Sequence, residues 1–174
     1  MTMTLIETKT LGTAAASIEF TSIAGTFTDI MLKVSVRQSS NNGNPYTPIT
    51  FALNSSATNK TSRYLLGEGT GVSSNSYTEF YAWTPSSLAT ADTFSNIELY
   101  IPNYAGATNK SISLDSVSEN NATANMLAIG ALLWSNTAAV TSVSFTTTAG
   151  NFVVGSTVSL YGILKGSSGG VVVS

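Results

Sequence analysis

Over much of its length this chain alternates apolar and polar residues one by one, and that period confines it to β-structure. Ile30, Leu32, Val34 and Val36 alternate with Met31, Lys33, Ser35 and Arg37, which puts four branched side chains on one strand face and two cations on the other. Ile49, Phe51 and Leu53 alternate with Thr50 and Ala52, and Ile97, Leu99 and Ile101 with Glu98 and Tyr100. The same holds for Ile112 and Leu114 among Ser111, Ser113 and Asp115, and for Val143 and Phe145 beside Ser142 and Ser144. These read as half-buried strands.

Further strands are predicted at residues 5–10, 17–23, 62–66, 78–83 and 157–164. Residues 126–134 differ: Leu127, Ile129 and Leu133 oppose Met126, Ala128 and Leu132, so both faces are apolar. Such a strand is central, or is covered on its outer face by another subunit. Breakers rich in Gly, Asn, Ser and Pro separate the runs at residues 39–45, 54–61, 67–76, 85–92 and 119–125. Around ten short strands without a convincing helix predict an all-β, antiparallel β-sandwich such as a jelly roll. Residues 85–93 (PSSLATADT) are read as one helical turn. One domain is expected over residues 1–165, followed by a flexible C-terminal tail at 166–174 (GSSGGVVVS).

Composition narrows the chemistry. The chain has neither histidine nor cysteine, which removes the commonest general base, disulfides and Cys-based metal sites. Charged residues make up 9% of it, against about 25% in ordinary domains. The 26 Ser, 25 Thr and 14 Asn must therefore build most of the solvated surface. Seven basic against nine acidic residues give no positive field for a phosphate backbone, so no nucleic acid is expected as a partner. Residues 1–10 lack the pattern of a secretory signal and no stretch suits a membrane span; the expectation is a soluble chain with no membrane partner.

Hydrolysis would have to run on paired carboxylates. Glu98, Asp115 and Glu119 are the group that strand geometry could bring together, but solvated surface carboxylates are the stronger reading. Asp115, Glu119, Asn120 and Asn121 offer oxygen ligands for calcium, yet match no EF-hand spacing and read better as a turn bonded to itself. No catalytic, cofactor or metal residue is assigned, and no cofactor is expected. The glycines of residues 67–71 (GEGTG) lack the lysine of a phosphate cradle, and the sequons at Asn54, Asn59, Asn109 and Asn121 are chance products of composition. Tyr77, Phe80, Tyr81 and Trp83 could form a sugar platform, but alternation sends about half of them inward and core packing is favoured.

Three stretches, residues 20–32 (FTSIAGTFTDIML), 97–110 (IELYIPNYAGATNK) and 133–162 (LWSNTAAVTSVSFTTTAGNFVVGSTVSLYG), together resemble a group of tailed-bacteriophage virion proteins. The last is the most specific, through Trp134, Asn136, Thr137, Ala138, Ala139, Asn151, Phe152, Gly155, Ser156, Leu160, Tyr161 and Gly162. The resemblance implies a non-enzymatic virion structural protein. It would be made in the host cytoplasm and placed on the capsid surface as a decoration (cement) protein bound to the major capsid protein. Tail-fibre, baseplate and receptor- or glycan-binding roles are the alternative. The short segment after the LYG motif favours a stand-alone decoration subunit.

Lysine is the usual guard against edge-to-edge strand pairing, and this chain has five for about ten strands. Some edges and apolar faces are therefore expected to be covered by other copies, most simply in a trimer. The residues expected at such contacts are Met1, Leu5, Met126, Leu127, Ile129, Leu133, Trp134, Val171, Val172 and Val173.

Overall fold

The computed structural model describes residues 2–121 and 124–164, and among them alternation is realised as twelve strands and no helix. They are β1 (Thr2–Thr10), β2 (Ser17–Phe20), β3 (Asp29–Ser35), β4 (Tyr46–Leu53), β5 (Lys60–Glu68) and β6 (Gly71–Tyr77). They continue with β7 (Tyr81–Pro85), β8 (Asn96–Ile101), β9 (Lys110–Ser118), β10 (Met126–Trp134), β11 (Val143–Thr147) and β12 (Thr157–Leu164). All pairs are antiparallel. An eight-stranded sheet runs β1-β12-β3-β8-β9-β10-β5-β6, and a four-stranded sheet runs β2-β11-β4-β7. Between them lies one core of inward-facing residues, including Phe20, Leu32, Phe51, Leu99, Trp134 and Phe145. The chain is thus an antiparallel β-sandwich.

The topology resolves into a body and an addition. With β5, β6, β9 and β10 set aside, first pairs with last throughout: β1 with β12, β2 with β11, β3 with β8, β4 with β7. Those eight strands form the orders β1-β12-β3-β8 and β2-β11-β4-β7, the arrangement of a long hairpin rolled into a jelly roll. The hairpin β5–β6 is inserted between β4 and β7, and the hairpin β9–β10 between β8 and β11. Pairing of β9 with β8 and of β10 with β5 extends one sheet of the body by all four strands.

Residues 67–76, expected as a loop, are instead the end of β5, a tight turn and nearly all of β6. Nearly every residue of β6 is exposed on either face, so no apolar alternation marks it. The strand expected at 78–83 begins at Tyr81, because the Ser62 hydroxyl donates to the carbonyls of Tyr77 and Glu79 and draws the chain into a bend. Residues 85–93 form no helix but two turns, closed by Ala89 N–H to Ser86 C=O and Thr93 N–H to Thr90 C=O, each at 3.3 Å. The Arg37 guanidinium fastens them by donating to the carbonyls of Ala89, Thr90 and Thr93.

Residues 20–32, 97–110 and 133–162 meet at one corner of the body. The Tyr104 hydroxyl bonds the carbonyl of Ala24, the backbone N–H of Val140 donates to the Tyr104 carbonyl at 2.9 Å, and Asp29 accepts from Asn103 N–H and the Tyr100 hydroxyl, both at 2.8 Å. Lys110 is buried, which lowers its pKa, and its ammonium donates to the carbonyls of Gly106 and Thr108. The Phe27 ring lies flat on Gly162, where an added Cβ would come within 2.3 Å of it. These residue types are accounted for by architecture: they close the corner where the chain crosses between sheets.

Candidate interaction surface

The open face of the eight-stranded sheet changes character along its length. In one row run Ser74, Leu65, Ile129, Asp115, Glu98 and Lys33, each directly opposite the next. In an adjacent row lie Val72, Gly67, Leu127 and Val117. On the inserted hairpins this face is apolar and open: Leu65 is 59% exposed, Val72 85%, Leu127 46%, Ile129 57% and Leu133 36%. Exposed single leucines are ordinary; a contiguous group on one flat sheet is the kind of patch that marks a contact.

The residues expected at contacts divide by strand parity. Leu127, Ile129 and Leu133 point outward on β10, and Leu5 is exposed on β1 at the far side of the sheet. Met126 and Trp134 are a correction: they have the opposite parity, at 4% and 1% exposure, and form part of the core, so neither is available to a neighbour. Met1, Val171, Val172 and Val173, and with them the expected tail, lie outside the described residues. Residues 126–134, expected as a central strand or as one covered on its outer face by another subunit, form β10, which lies between β9 and β5 with its odd-numbered residues exposed. Leu65 and Val72 were not foreseen. Leu65 was legible, since it alternates against Tyr64 and Leu66, whereas Val72 stands alone among glycines and serines.

Glu98 and Asp115 do sit directly opposite one another, but on this open face, with Glu98 ion-paired to Lys33. Glu119 belongs to the loop after β9, where its carboxylate accepts from Asn121 N–H at 2.8 Å and from Asn125 Nδ2 at 2.6 Å. The Asn121 N–H, then the Asn125 amide, hold its pKa below the usual carboxylate range. That is a turn bonded to itself.

The aromatic group splits, though not by strict alternation, since Trp83 shares the parity of Tyr81. Phe80 and Trp83 are buried, while Tyr77 and Tyr81 are half-buried and meet edge to face at 5.1 Å between ring centres. They line an open cleft of about 480 Å³ with Thr61, Arg63, Ser76, Thr78 and Glu79, at the side where β6 and β7 part. The Tyr64 hydroxyl holds this side together, accepting from Tyr81 N–H at 2.8 Å and donating to its carbonyl at 2.9 Å. Burial pushes the Tyr64 phenol up to about 12. Glu79 is paired with the buried Lys60, whereas the Arg63 guanidinium bonds the Ser62 carbonyl and no carboxylate among the described residues.

Comparison with protein-family models, with curated proteins and with solved structures returned no match in any of the three.

Proposed function

We propose that this chain is a non-enzymatic structural subunit of a bacteriophage particle, most simply a decoration protein that binds the major capsid protein as a homo-oligomer, of which a trimer is the simplest order. The observation that carries the reading is the open apolar face formed by Leu65, Val72, Leu127, Ile129 and Leu133. The inserted hairpins bring these side chains to solvent although the jelly-roll pairing is complete without them. The three resembling segments add the virion setting.

Low charge suits such contacts, because apolar and hydroxyl surfaces do not weaken with ionic strength as ion pairs do. The purified chain is expected to form a discrete oligomer in light scattering. The double variant Leu65→Ser, Ile129→Ser is expected to remain folded and lose self-association, shell binding or both. Immunogold labelling of particles from the lysed host then locates it: dense labelling over the shell fits a decoration protein, and label at one vertex fits a tail component. A wild-type chain that stays monomeric and never joins particles would refute the assembly reading.

A glycan-binding role has its own support in the cleft of Tyr77 and Tyr81, where a sugar could stack on a ring and bond Arg63. Glycan-array binding lost in Tyr81→Ala would favour it.

A further inference from the structure

A sandwich of two open sheets has four edges, and here three are blunted. Edge β1 carries a register shift between Leu5 and Glu7 together with the charged pair Lys9–Glu7. Edge β2 is only four residues long. On edge β7, side chains of the opposite sheet occupy the backbone: the Tyr64 hydroxyl bonds both N–H and C=O of Tyr81, and the Ser116 hydroxyl both those of Trp83, at 2.9 and 3.1 Å. Bulges, charges, shortness and cover are the devices that keep edges from pairing with other chains.

Among the described residues, edge β6 has none of them. Its seven residues, Gly71–Tyr77, hold no charge and no proline, and pair with β5 in unbroken register. Both of its faces are open, and its side chains are mostly small hydroxyls and an amide. We infer that β6 is the edge through which this chain pairs with a second copy of itself, antiparallel across a twofold axis, joining two eight-stranded sheets into one. The inference rests on the assembly reading above and sets its unit as a twofold dimer in place of the trimer named there.

The occupant follows from the strand's own chemistry. An uncharged strand meets no like-charge penalty opposite its own copy, and serines facing serines form favourable cross-strand pairs. Antiparallel pairing across that axis also sets the apolar stripes of the two copies, through Val72, Leu65 and Ile129, on one continuous face.

The chain has no cysteine, so single cysteines report on the pairing cleanly. Residues facing each other across an antiparallel pair have Cα atoms about 4.5–5.5 Å apart, inside the disulfide range of about 4.4–6.8 Å. Cysteine placed singly at Ser73, Ser74 and Asn75 in the full chain is expected to cross-link strongly at the residue on the axis and on the order of tenfold less at the other positions. Ser74→Lys is expected to leave the circular dichroism unchanged and to weaken self-association on the order of tenfold, with two lysines brought face to face. If no position cross-links and Ser74→Lys associates like wild type while Leu65→Ser, Ile129→Ser does not, the edge inference fails and the assembly reading survives. Association abolished only by removing residues 165–174 would assign the edge to that segment and overturn pairing of β6 with β6. A monomeric wild type removes both readings.

Discussion

The two halves of the large sheet's open face are made of the same backbone but of opposite chemistry. On the body, polar groups are matched: Lys33 with Glu98, Tyr100 with Asp29, Thr8 with Ser159 at 2.9 Å, Thr10 with Thr157 at 3.0 Å. On the inserted hairpins the same face presents Leu65, Val72, Leu127, Ile129 and Leu133 to solvent. Beneath both halves the inner face is largely buried except along the edge strands β1 and β6. Folding thus accounts for those inner residues and for the outer residues of β12, β3 and β8, and the apolar outer residues of the hairpins are left to be explained by contact with something else.

The strongest test of that division lies within one strand. Trp134→Ala on the inner face of β10 is expected to cost about 3–5 kcal/mol in urea unfolding, whereas Leu133→Ser beside it changes the stability of the dispersed chain by less than about 0.5 kcal/mol. Equal losses would break the comparison. Next comes the clamp that ties β5 to β7. The folded Tyr64 phenol keeps its proton up to about 12, while an unfolded one releases it near its ordinary value of 10.0. Between those values the unfolded state binds fewer protons, so stability falls as pH rises, by about 2–3 kcal/mol in all. Urea melts from pH 9 to 12 are expected to show that fall in wild type and to lack it in Tyr64→Phe.

A smaller effect belongs to the body's corner. Asp29→Asn weakens acceptance from Asn103 N–H and the Tyr100 hydroxyl and is expected to lower stability by about 1–2 kcal/mol, read by thermal melting, with oligomer order unchanged. The smallest is the exposed Lys33–Glu98 pair, whose coupling in a double-mutant cycle is expected at about 0.2–1 kcal/mol, shrinking as salt is added.

Strands with one dry and one wet face, such as β3, β8 and β11, were legible from alternation because the two environments differ. β6 was invisible for the converse reason: water on both faces selects nothing, and its glycines and serines look like a loop. β10 announced its open face through apolar residues at odd and even positions alike, but only parity separates Leu127, Ile129 and Leu133 from Met126 and Trp134. Glu98 and Asp115 could be placed side by side only once β8 was known to pair with β9. The split of Tyr77 and Tyr81 from Phe80 and Trp83 could not be counted off the sequence, because Trp83 shares the parity of both tyrosines and is nevertheless buried.

Placing β12 between β1 and β3 also sets a timetable for synthesis. β3 leaves the ribosome about 120 residues ahead of the strand it must flank, a wait on the order of ten seconds at roughly 5–20 residues per second. Until then β1 and β3 each lack the neighbour that joins them. β12, the last strand among the described residues, is therefore the latch that closes the sheet.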